Sequence, residues 1–87
     1  QRFVLAHNVQ QTVLRFQELL IEAALSTEPR GLLGQADVAL TKLRFYLRLC
    51  RDLELLTLGQ YAHVTRMVSE VGRLLGGWLK STEKPQP

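Results

Sequence analysis

Apolar positions recur along this chain at intervals of three and four residues in three blocks, and turn-forming residues punctuate the blocks. Residues 2–26 contain neither Pro nor Gly and carry strong helical periodicity, which resumes over 32–56. Between them, Ser26-Thr27-Glu28-Pro29-Arg30-Gly31 reads as a turn. Thr57-Leu58-Gly59-Gln60 then offers a capping box, with Thr57 as N-cap and Gln60 three residues on. The pattern predicts an all-α chain with helices over about 2–26, 32–56 and 58–81. It predicts one helical-bundle domain over 1–81 and a polar tail over 82–87 that holds Pro85 and Pro87. Helices of this length span roughly 35 Å each, and connections this short force sequential helices to lie antiparallel.

At 100° per residue the helix faces become legible. Tyr61, Val64, Val68, Val71, Leu75 and Trp78 form a bundle seam in the third helix. The first helix carries two apolar stripes: Ala6, Val9, Val13, Phe16, Leu20 and Ala23, and separately Phe3, Leu14, Ile21 and Leu25. The second helix also has two, with Ala36, Leu43, Leu47 and Cys50 on one flank and Val38, Phe45, Leu49 and Leu56 on the other. A helix with one apolar face packs inside its own bundle, whereas a helix with two is central or shared with another chain. Three helices cannot cover both faces of two of them, so a subunit interface or a further helix is expected.

Size sharpens that expectation. A domain of 87 residues buries only ~60–65% of the surface its unfolded chain exposes. Yet 46% of the residues are apolar, and a neighbouring subunit is the simplest cover for the excess. The longest uncharged run, 3–14, has 12 residues, too few for a membrane span. No signal-peptide pattern is visible, and a single cysteine, Cys50, fits a reducing compartment. The expected location is cytoplasmic.

Catalytic chemistry finds no foothold. His7 and His63 stand alone on different helices, with none of the spacings that build a metal site in a bundle. Cys50 reads as an inert core thiol, and Glu18 and Glu22 as a solvated surface shared with Arg15. There is no phosphate loop, since Gly76-Gly77 lies inside a helix. We expect no enzyme, no cofactor and no metal. Gly72 and Gly76, each costing ~1 kcal/mol relative to Ala in a helix interior, share a face beside the seam. They are read as a groove for close helix packing.

The basic residues are more informative. Arg44, Arg48 and Arg51 fall within about 60° of one another on the second helix, and 42–51 holds these and Lys42 with no acid between. Arg66, Arg73 and Lys80 recur every seven residues on the third helix, opposite its seam. Adjacent stripes of this kind would make one surface about 25 Å long. Arginine dominates, which suits phosphate, although Asp37, Asp52, Glu54 and Glu70 lie near enough to neutralise part of it.

Two segments go beyond a generic bundle: Leu43-Arg44-Phe45-Tyr46-Leu47-Arg48-Leu49 and Glu70-Val71-Gly72-Arg73-Leu74-Leu75-Gly76-Gly77-Trp78-Leu79-Lys80. With Arg2-Phe3, they resemble the signature blocks of the accessory variability determinant (Avd) family. These are four-helix-bundle partners of reverse transcriptases in diversity-generating retroelements, and the resemblance spans essentially 1–81. A broader relative is the four-helix protein encoded within intervening sequences of bacterial 23S ribosomal RNA. The resemblance implies a homopentamer without catalytic activity that binds the reverse transcriptase, RNA and also DNA, and supports mutagenic copying of a template RNA. It carries the basic role onto Arg44, Arg48 and Arg73; Arg51, Arg66 and Lys80 join them by wheel position. It also implies a further helix before Gln1, making the three helices here the second to fourth. The rival reading is a scaffolding bundle whose basic stripes serve solubility alone.

Overall fold

A computed structural model of the chain describes residues 2–83; Gln1 and most of the expected tail, 84–87, lie outside the described residues. The described residues form three helices, α1 (Arg2–Leu25), α2 (Arg30–Asp52) and α3 (Leu58–Ser81), and no strand. They fill an elongated volume of 51 × 21 × 15 Å.

Each boundary has a local cause. α2 begins two residues earlier than the turn signal suggests. Pro29 already has helical torsions (φ −77°, ψ −12°), because its ring fixes φ, and its carbonyl accepts from Leu33 N–H at 2.9 Å. α2 also ends four residues early, at Asp52 rather than Leu56. There Glu54 adopts a left-handed φ of 60°. Its N–H donates to the Arg51 carbonyl at 3.0 Å, and Leu55 N–H reaches the Cys50 carbonyl at 2.8 Å. This is the Schellman ending that glycine usually supplies. α3 opens on the expected capping box: Gln60 N–H donates to Thr57 Oγ1 at 3.0 Å and Thr57 N–H to Gln60 Oε1 at 2.9 Å. At its far end Ser81 and Thr82 hydroxyls donate to the Trp78 and Leu79 carbonyls, two of the acceptors a helix terminus leaves without partners.

α2 is the central element. Its buried residues Leu33, Ala36, Leu40, Leu43, Leu47 and Cys50 keep 3-4-3-4-3 spacing, with Ala39 beside them. α1 and α3 both pack on it and, among the described residues, make no contact with each other. α1 contributes Phe16, Leu19 and Ala23 to the core, and α3 contributes Val68 and Leu75. Leu19, Leu33 and Leu40 are the largest side chains wholly enclosed, each stabilising the fold by roughly 1.5–3 kcal/mol relative to exposure.

The α3 seam lies against the core as its spacing predicts, with Val68 and Leu75 buried and Tyr61, Val64, Val71 and Trp78 half-buried. The buried face of α1 needs correction. It is Leu5, Phe16, Leu19 and Ala23; Val9, Val13 and Leu20 are only half-buried and Ala6 is exposed. The helix is therefore turned by roughly half a residue step from the expected stripe. Its second stripe faces outward: Phe3 is 86% exposed, Leu25 83%, Ile21 61% and Leu14 51%. Val38 and Phe45 on α2 are exposed as well.

Candidate functional site

The basic residues sort into two kinds once their neighbours are seen. Arg73 is engaged by its own helix: its Nη2 donates to Glu70 Oε1 at 2.6 Å and its Nε to Glu70 Oε2 at 3.1 Å. These bonds, and the charge beside them, hold the Glu70 carboxyl below its ordinary value. Arg51 is engaged twice. Its Nη2 and Nε donate to Asp52 Oδ1 at 2.9 and 3.1 Å, and its guanidinium carbon stands 4.9 Å from the centroid of the Tyr61 ring on α3, within cation–π range. Arg44, Arg48, Arg66 and Lys80 are exposed, and among the described residues none has a carboxylate within 4.0 Å.

Arg44 and Arg48 lie where α2 meets α3. With Leu47 they line one wall of a hollow of about 150 Å³, and Tyr61, Thr65, Val68 and Ser69 line the other. Leu47 and Val68 are buried and make an apolar floor. Among the described residues, the Thr65 and Ser69 hydroxyls form no internal hydrogen bond, in contrast to Thr12 and Thr41, which donate to carbonyls four residues back. Sequence reasoning missed Thr65 and Ser69, although their i, i+4 spacing beside Gly72 puts all three on one flank of α3. By the same rotation Arg66, Arg73 and Lys80 stand further round α3, their stripe centred roughly 70° from the centre of that flank.

Gly72 is close to its neighbours, but not to a backbone. A β-carbon there would lie 2.5 Å from Arg44 Nη2 and 3.4 Å from Leu40 Cδ2. The glycine leaves room for an arginine head rather than for another main chain. Gly76 does not pack closely within this chain, since a β-carbon there would meet nothing within 4 Å.

Elsewhere the surface carries little chemistry. A wider hollow of about 460 Å³ between α1 and α2 is lined by Gln11, Thr12, Arg15, Gln35 and Lys42 among others. Arg15 there is held by Glu22 at 3.5 Å and by Gln35 Oε1 at 3.3 Å. Cys50 is buried, and burial pushes its thiol above the ordinary value. Among the described residues no group of three His, Cys, Asp or Glu is placed to hold a metal ion, and no helix is long and apolar enough to cross a membrane.

Residues 1–82 match the sequence profile of the family described as bAvd-like. The chain belongs to the bAvd-like family. At the level of the family it is a diversity-generating retroelement accessory protein, in a family that is accessory and non-catalytic. The matched span takes in both segments that suggested the Avd resemblance, 43–49 and 70–80. No curated protein and no solved structure gives a match.

Proposed function

We propose that this bAvd-like protein works as a homo-oligomeric adaptor, which holds template RNA, and the DNA copied from it, against the reverse transcriptase of its retroelement. Arg44, Arg48, Arg66 and Lys80 supply the contacts to phosphate, and Arg51 and Arg73 join them when a phosphate displaces Asp52 or Glu70. The observation that carries this reading is that Arg44, Arg48, Arg66 and Lys80, on two helices packed together, are all exposed and have no carboxylate partner among the described residues. In a chain of net charge +3, leaving cations unpaired costs a little through self-repulsion, and a polyanion relieves that cost. Each phosphate neutralised also releases counterions, which adds affinity without base-specific contacts.

The assembly follows from the apolar outer faces of α1 and α2. Phe3, Leu14, Ile21 and Leu25, with Val38 and Phe45, are exposed in the single chain and are covered by further copies in a closed ring, five by resemblance to the family. Each protomer is an antiparallel bundle, supported by the neighbours its helices keep. Ala6 lies by Cys50 near opposite ends of α1 and α2, and Tyr61 and Gly72 lie by Arg51 and Arg44. A fourth helix completes it on the side where α1 and α3 stand apart. Repeating the basic patch around the ring raises affinity by avidity.

The test is Arg44→Ala with Arg48→Ala. Helical content and assembly should persist, while binding to single-stranded RNA and co-purification with the polymerase fall together. The slope of log affinity against log salt should flatten by roughly 1.4 for each protomer engaged. If the double variant binds both partners like the parent at about 0.15 M ionic strength, the cations are solvated decoration and the chain is a scaffold.

A further inference from the structure

The hollow between α2 and α3 has the composition of a seat for a single tetrahedral anion. Its charge comes from Arg44 and Arg48, and no acidic residue lines it. Two of the acids on these helices, Asp52 and Glu70, are already bound to Arg51 and Arg73. Its neutral donors are the Thr65 and Ser69 hydroxyls, which among the described residues bond to nothing else in the chain. Mid-helix hydroxyls either turn back to a carbonyl one turn earlier or point outward; Thr12 and Thr41 do the first here, whereas Thr65 and Ser69, one turn apart and exposed, are free to donate outward.

Size narrows the ligand. Sites for whole small molecules hold about 300–1,000 Å³, and about 150 Å³ admits a phosphate group but not a nucleoside with it. The floor of Leu47 and Val68 is buried, and bonds between charged groups strengthen above such an apolar base. Gly72 completes the arrangement. The Arg44 head lies across it, where a β-carbon would come within 2.5 Å of Nη2, so the missing side chain sets where that guanidinium rests.

We propose that this hollow seats one phosphate group per protomer, with Arg44 and Arg48 neutralising it and Thr65 and Ser69 donating hydrogen bonds to its oxygens. The inference rests on the polyanion reading above and deepens it, because it singles out one phosphate of the bound strand as held by fixed geometry rather than by diffuse charge. Gly72 acts as a positioning residue for Arg44.

The experiment titrates the full chain with inorganic phosphate and, separately, with chloride at matched ionic strength, following backbone amide shifts in ¹⁵N-labelled protein. Phosphate should move the amides of Thr65, Ser69 and Gly72 saturably, and chloride should not. Thr65→Val with Ser69→Ala leaves every charge in place and should weaken phosphate binding roughly tenfold, while the salt slope for RNA stays that of the parent. A second arm displaces bound RNA with phosphate and compares oligonucleotides with and without a terminal 5′ phosphate. Equal affinity for the two oligonucleotides assigns the seat to a backbone phosphodiester, and tighter binding of the phosphorylated one to a strand end. Identical responses to phosphate and chloride overturn the seat, whatever RNA does. So does a double variant, folded by circular dichroism, that keeps the parent's phosphate affinity. A phosphate preference without RNA binding keeps the seat and overturns the polyanion reading instead.

Discussion

Replacing Leu14 and Ile21 with Gln should separate folding from assembly. The two lie seven residues apart on the outer face of α1, where they are 51% and 61% exposed. Gln is as good a helix former as Leu and better than Ile, so α1 loses no intrinsic helix stability. Because half or more of each side chain already meets water, the isolated protomer should lose little. In the proposed assembly the change should be costly. Covering the exposed half of a Leu or Ile contributes about 1 kcal/mol, and an amide left without partners in the same place costs about 1–3 kcal/mol more. The pair together should weaken each interface by about 4 kcal/mol or more, a thousandfold in the association constant.

Sedimentation velocity over a dilution series reads the assembly, and far-ultraviolet circular dichroism reads the helices. The expected result is a lighter species with unchanged helical signal and no new aggregation. Two results would refute the reasoning. If the assembly keeps its mass, the outer face of α1 is not what holds the copies together. If helicity collapses in the dissociated chain, these side chains belong to the protomer core after all.

Other perturbations test single features. Glu54→Gly removes a left-handed residue that costs roughly 1–2 kcal/mol outside glycine and should raise the melting temperature by several degrees, read by thermal denaturation. Thr57→Ala breaks the capping box and should lower stability by about 1 kcal/mol in a urea titration. Glu70→Gln releases Arg73 and should tighten RNA binding in a filter or anisotropy assay. In the parent, Arg73 depresses the Glu70 pKa, so whatever the pair contributes is present above the unfolded carboxylate value and is lost as pH falls through the lower folded one. Gly76→Ala meets open space in the protomer and should gain up to about 1 kcal/mol of helix stability; weaker assembly on light scattering would place another chain against that face.

What could be read from the sequence depended on how many solutions each segment left open. α3 has one apolar stripe and an explicit start signal, so its phase and its first turn follow from Thr57, Gln60 and the spacing from Tyr61 to Trp78. α1 has two stripes, and periodicity alone cannot decide which turns inward. Leu5 and Leu19 belonged to neither, yet both are buried, because the face that wins is the one that fits the α2 surface around Leu33, Ala36 and Leu40. The end of α2 was hidden for another reason. The run Leu53 to Leu56 reads as more helix, and nothing in a glutamate announces a left-handed cap that glycine would have signalled. The arginines were visible as a stripe, but spacing does not say which are already satisfied. Asp52 and Glu70 take Arg51 and Arg73 out of the free set, and Thr65 and Ser69 enter the site only once α3 is laid beside Arg44 and Arg48. Sequence thus locates the charge on α2 and α3, while packing decides which of it is available. On α2 the available charge, Arg44 and Arg48, and the outward apolar pair, Val38 and Phe45, occupy different sectors of one helix, separated by roughly 60° or more. A protomer arranged this way can bury its apolar sector against other copies and still present its arginines to a strand.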